Sequence, residues 1–152
     1  MTANQTTFNF GLNLGELPAH RHVNEDGTEG GWVADSAKVA EDAHIGYGSV
    51  VGPRCVIESG VRIGTHTKIG ANVKIGAGTR IKDSCLVGSG VRLGTYVKLA
   101  DCVTLEEKVK LESSAEVGMC SRLGPGCVVK KAKSLGSWTV VKAGTVFAPL
   151  WD

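Results

Sequence analysis

The sequence has little of what marks the common catalytic and membrane classes. Aromatic residues make up 5% of the 152 residues, as three Phe, three Trp and two Tyr. No run of 18 apolar residues occurs, so no membrane-spanning helix is expected. The first thirty residues hold no apolar stretch flanked by basic residues, so no secretory leader is expected either. The five Cys show no CxxC spacing, which argues against a zinc knuckle. Without a leader they read as reduced thiols of a cytoplasmic protein. No P-loop, dinucleotide fingerprint or nucleophile elbow is present. The net charge of +2 gives no overall attraction to nucleic acid or a membrane surface, so neither is an expected partner. The length is that of one domain.

What the chain does have is a period. Every sixth residue from Val33 through Val39, Ile45 and Val51 to Phe147 is a branched aliphatic or Phe, with no insertion or deletion. The residue after it is Gly at ten of these twenty positions, as at Gly46, Gly64 and Gly118. The residue two before it is mostly small or β-branched, as at Ala37, Ser49, Cys55 and Thr67. Positions two apart in a strand share a face, so both point inward. The residue between them points out: Lys68, Lys74, Arg80, Arg92 and Lys98 are examples. The remaining two residues form a corner. Gly48, Gly60, Asn72, Gly78, Gly90, Gly126 and Gly144 stand where a positive φ is expected.

A strand and a corner every six residues predict a three-sided coil of 18 residues, stacked at ~4.8 Å per turn. The repeats suffice for a little over six turns, a column roughly 30 Å long. An amphipathic helix is a poor alternative, because six matches neither 3.5 nor 3.6 and ten Gly would cost it about 1 kcal/mol each.

This pattern resembles the hexapeptide-repeat family, which includes acyltransferases and γ-class carbonic anhydrases. The fold it implies is all-β, a left-handed parallel β-helix. The hand is implied by the resemblance alone, since general crossover rules favour the opposite one. The expected organisation is an N-terminal strand and loop over 1–32, acting as cap or intersubunit arm, and a β-helix over 33–152. Phe8, Phe10, Leu12 and Leu14 alternate with Asn and Gly as one short strand, and Pro18–Gly31 reads as loop. The segment DGTEGGWV, Asp26–Val33, resembles the opening segment of several hexapeptide-repeat proteins. Phe147, Leu150 and Trp151 are expected to plug the far end.

Stepping by 18 sorts the outward residues onto three faces. The first carries Trp32, Val50, Lys68, Leu86, Thr104, Arg122 and Val140, the most apolar set. An exposed apolar stripe suggests a partner surface. The resemblance implies a homotrimer, so a seam is expected at or beside this face. The second carries Lys38, Val56, Lys74, Arg92, Lys110, Val128 and Val146. The third carries His44, Arg62, Arg80 and Lys98 on successive coils, then Glu116 and Ser134. Like charges stacked ~5 Å apart repel, so this ladder is either offset by a bound anion or splayed in solvent.

The corner after the third face is chemically mixed. It reads Tyr47-Gly48, Thr65-His66, Asp83-Ser84, Asp101-Cys102, Met119-Cys120 and Ser137-Trp138. His66 could lie beside Asp83, whose carboxylate would orient the imidazole as a general base. The family's coenzyme-A-dependent acyltransferases use an interface His in that role, and His66 is the match to it, with His44 second. Those enzymes commonly carry an excursion loop, which this register lacks. The zinc carbonic anhydrases of the family draw three His from adjacent strands and subunits. Here His44 and His66 are 22 apart, not a multiple of 18, so no metal site is expected. Cys102 and Cys120 are 18 apart and should stack; a disulfide fits, and reduced thiols are the expected state. Cys55, Cys85 and Cys127 point inward as small hydrophobes.

The leading expectation is a non-catalytic binding protein with no cofactor. It would hold an anionic small molecule, nucleotide- or phosphate-like, in clefts between subunits. His44, Tyr47, Arg62, Arg80, Lys98, Asp101 and Trp138 are the candidate ligands, since Arg suits phosphate and aromatic rings stack. The alternative is a transferase using acetyl-coenzyme A, with His66 and Asp83 as its catalytic pair. A structural or assembly module is the third.

Overall fold

The structure, a computed structural model, describes residues 6–11 and 13–148. Three N-terminal strands come first: β1 (Thr7–Asn9), β2 (Glu16–Val23) and β3 (Glu29–Ala34). Two-residue strands follow at every sixth position, from β4 (Lys38–Val39) to β22 (Val146–Phe147). They stack into three parallel sheets with partners 18 residues apart, as in Lys74↔Arg92 and Arg80↔Lys98. The whole is a left-handed parallel β-helix of about six turns. The strands are too short to accumulate the twist that sets the opposite hand in longer crossovers.

The sixth-residue aliphatics fill the column. All are buried except Val39 and Phe147, which lie at its two ends and pack against the core partly exposed. Every sixth residue from Gly48 to Gly144 has a positive φ, glycine or not. Arg54, His66, Tyr96 and Trp138 all sit between 55° and 61°. That conformation costs a non-glycine roughly 1–2 kcal/mol. Each such corner is held by a bond to the coil before it, as where His66 N–H donates to Tyr47 O at 3.2 Å and Trp138 N–H to Met119 O at 2.8 Å. The glycines after the aliphatics have a different cause. A Cβ at Gly46 would lie 2.5 Å from the carbonyl of Gly64 on the next coil.

The small inward residues are more than fillers. Thr67 Oγ1 donates to Lys82 O at 2.8 Å and accepts from the Cys85 N–H at 3.2 Å. Ser121 repeats the arrangement with Gly136 O and the Thr139 N–H. The three inward cysteines join the same scheme, contrary to their reading as plain hydrophobes. Cys55, Cys85 and Cys127 point their thiols at the carbonyls of Gly70, Ala100 and Lys142, at 3.0, 3.1 and 2.9 Å. Among the described residues no buried side-chain polar atom lacks a partner.

The segment expected to be loop, Pro18–Gly31, is largely strand. β2 pairs antiparallel with both β1 and β3, and so extends the first sheet above the top coil. Its sequence ELPAHRHV has no apolar–polar alternation, so the strand signal is missing. The open edge of β3 imposes the conformation instead. The hairpin turn then folds over a second edge. Asn24, 3% exposed, accepts from Ile45 N–H at 2.9 Å and donates to Ile45 O at 3.2 Å. Its carboxamide thereby substitutes for a neighbouring strand.

The arm also covers the top of the first face. Phe8 stacks on Trp32 at 5.1 Å between centroids, and Val50 packs into the same cluster. Trp32 and Val50 are therefore covered by the chain's own N-terminus, while Leu86 and Val140 stay exposed. Leu12, Leu150 and Trp151 lie outside the described residues.

Candidate functional site

The third face is built by β5 (His44–Ile45), β8 (Arg62–Ile63), β11 (Arg80–Ile81), β14 (Lys98–Leu99), β17 (Glu116–Val117) and β20 (Ser134–Leu135). Each puts its first residue outward because its second is drawn into the core. The register stacks His44, Arg62, Arg80, Lys98, Glu116 and Ser134 in one line. The lower rungs are satisfied internally: Lys98 Nζ lies 3.7 Å from Glu116 Oε1, and Ser134 Oγ donates to Glu116 Oε2 at 3.1 Å. The upper rungs are not. Among the described residues no carboxylate lies within ion-pair distance of Arg62 or Arg80.

Beside this ladder runs a groove of about 490 Å³ lined by Arg80, Lys82, Lys98, Ala100, Glu116 and Gly118. It carries three cationic side chains against one carboxylate. Lys82 was not singled out from the sequence. The signal was its place directly after Ile81, where half of the repeats carry Gly.

The remaining candidates divide. Asp83 and Asp101 are committed to backbone: Asp83 Oδ1 accepts from Thr65 N–H at 2.8 Å, and Asp101 Oδ1 from Asp83 N–H at 3.0 Å. The His66–Asp83 pair is not made. The His66 ring lies toward the coil before it, where a Cβ on Gly48 would stand 2.8 Å from its Cδ2, while Asp83 belongs to the coil after. The αL corner backbone at His66 sets that direction. Asp101 adds no carboxylate to the groove for the same reason: its oxygen holds a corner. Tyr47 and Trp138 are both exposed, but their corners are five coils apart, ~24 Å, so one small ring can meet only one of them. Tyr47 already has a neighbour: the Arg21 guanidinium sits 5.7 Å from its ring and 5.1 Å from that of Trp32. His44 is half-buried, and its charge helps lower the pKa of Asp26 in the hairpin turn, behind the larger effect of the Thr28 hydrogen bonds. No cluster of three or more His, Cys, Asp or Glu suited to a metal occurs among the described residues.

The fold has known counterparts. Residues 29–112, more than half of the chain, match the family described as GMPPB C-terminal domain. The chain belongs to that family. No curated protein matches its sequence. Among solved structures it is similar to PerB from Caulobacter crescentus, in complex with CoA and GDP-perosamine. That similarity has 21% identity, a TM-score of 0.61, and covers 83% of this chain and 54% of the other. A mutant of GDP-perosamine N-acetyltransferase from the same organism, also with CoA and GDP-perosamine, gives the same TM-score and identity. A Bacillus cereus protein assigned as an acetyltransferase follows at 19% identity and TM-score 0.55, covering 77% of this chain and 74% of its own. This chain spans about half the length of PerB. The family-level finding is a hexapeptide-repeat β-helix whose structural neighbours are acyltransferases. Among the described residues no helix is long and apolar enough to cross a membrane.

Proposed function

We propose that the groove along the third face binds the phosphate of a nucleotide-like small molecule. The observation that carries this reading is the pair of unpartnered guanidiniums, Arg62 and Arg80, stacked in register beside a groove that also holds Lys82 and Lys98. Guanidinium groups bind phosphate through paired hydrogen bonds, and a bound anion relieves their mutual repulsion. GDP-perosamine and CoA, the ligands of PerB, both carry phosphate, which is consistent with this class. In this reading the protein is a homotrimer, and each groove is completed by a neighbouring copy along the first face, below the region its own arm covers. The binding needs no cofactor.

Acetyl transfer from acetyl-coenzyme A is the second reading, favoured by the acetyltransferases among the structural neighbours. It would use His66, which is exposed and makes no side-chain hydrogen bond to Asp83. Titration with GDP and with acetyl-coenzyme A, followed by a thiol assay with added amine acceptor, each repeated on His66→Ala, separates the two. Binding that survives His66→Ala with no acceptor-dependent release of CoA thiol supports the binding protein. Thiol release that disappears in His66→Ala establishes the transferase. No affinity for either ligand removes both.

A further inference from the structure

The corner beside the groove carries a second feature, a pair of stacked thiols. Cys102 and Cys120 occupy the same corner on successive coils, with φ of 59° and 58°. Their Cβ atoms therefore leave the backbone in the same direction, one rung apart. The rungs are locked by the ladder: Cys102 N–H donates to Asp83 O at 3.0 Å, and Cys120 N–H to Asp101 O at 2.9 Å. A rung spacing of ~4.8 Å falls within the Cα separations that disulfides accept. The Cys102 thiol lies close enough to help push the pKa of Cys120 up, behind the larger effect of desolvation. Cys102 is exposed and Cys120 is partly exposed, whereas Cys55, Cys85 and Cys127 are buried. Cys55 and Cys127 share a column but lie four coils apart, so neither has a thiol neighbour in its stack.

We infer that Cys102 and Cys120 form a reversible disulfide-exchange site, reduced at rest and closed by a small-molecule disulfide such as oxidised glutathione. Cys102 is the attacking thiol because it is the more exposed. Desolvation, and then the neighbouring Cys102 and Asp101 charges, push the Cys120 thiol up and keep it protonated longer. The Cys102 thiolate attacks one sulfur of glutathione disulfide, forming a mixed disulfide and expelling one glutathione thiolate. Cys120 then gives its proton to solvent and attacks the Cys102 sulfur, which breaks the mixed bond and expels the second glutathione. Two protein thiols are oxidised and one glutathione disulfide is reduced. Parallel Cβ directions one full rung apart, ~4.8 Å, put the Cβ atoms just beyond the usual disulfide separation, so closing the bond strains the two coils and it is readily reduced again. Gly118, on the groove wall, lies two residues before Cys120, so closure pins two coils at the groove's edge.

The test uses the full chain in glutathione buffers of stepped oxidised fraction, followed by acid quench and peptide mapping. The expected product is an internal Cys102–Cys120 link with no covalent link between chains, reversed by added reduced glutathione. Cys120→Ser should instead hold glutathione on Cys102, because no thiol remains to displace it. Brief alkylation of the native reduced protein should modify Cys102 and Cys120 and spare the other three. The inference fails if the wild type stops at the mixed disulfide, if oxidation links separate chains through Cys102, or if neither thiol alkylates in the native state. None of these outcomes depends on a ligand in the groove, so this inference and the phosphate-site reading stand or fall separately.

Discussion

Cys55 and Cys85 show how much a single inward position is asked to do. Each fills core volume and satisfies a carbonyl of the coil ahead. Burial pushes both thiols from 9.0 up to about 11. A thiol whose pKa is raised by folding favours the fold below its unfolded pKa and loses that contribution as pH rises through the folded value. The thiol contribution to urea-melt stability should therefore be constant up to about pH 9 and lost toward pH 11, and Cys85→Ser should weaken that alkaline decline. Cys85→Ser should also leave stability within about 1 kcal/mol of wild type, because the hydroxyl can make the bonds that Thr67 and Ser121 make in the same column. Cys85→Val removes the donor and should cost about 1–3 kcal/mol. The small size of these inward residues was legible in the sequence. Their hydrogen bonds were not, because the partner carbonyl belongs to the residue after an aliphatic 15 residues later and no local pattern marks it.

The hexad itself was almost fully legible: strand, inward aliphatic and corner each repeat at one spacing, and expected positive-φ positions such as Gly48 and Asn72 have it. What the spacing did not reveal is that the corner conformation is imposed whatever the residue. Ala132, exposed at φ 61°, gives the test. Ala132→Gly should stabilise the protein by about 0.5–1 kcal/mol, as the relief of αL strain exceeds the added chain entropy. Gly46→Ala should destabilise it, since its Cβ meets fixed backbone. Paired thermal melts that rank the two variants the other way would refute this account of the corners. The N-terminal arm was the element the sequence hid. Asn24 is polar, lies in a turn, and becomes structural only because Ile45 sits on an open edge. Asn24→Ala should lower stability by about 1–3 kcal/mol for each of the two backbone groups it strands. A melting temperature equal to wild type would mean that the edge needs no cap.

At the scale of the whole molecule, the column sorts charge by face. The second face also stacks Lys74, Arg92 and Lys110 in register, beside a smaller groove of about 390 Å³. The third differs in stacking two guanidiniums, Arg62 and Arg80, and in taking its third groove cation from Lys82, directly after Ile81. The sequence showed both ladders. It could not show which one borders the larger groove, because that depends on the side chain after Ile81 and on where the corner backbone turns. A trimer built along the first face would sediment at three times the 15.9 kDa chain mass. A monomer would leave each groove as a one-sided surface. The most direct test of the phosphate site is calorimetric titration of GDP into wild type, Arg80→Glu and Lys110→Glu at two salt concentrations. The account predicts binding that weakens with salt, falls at least about tenfold in Arg80→Glu and is retained in Lys110→Glu. Equal affinities in all three proteins, or a loss confined to Lys110→Glu, would contradict it.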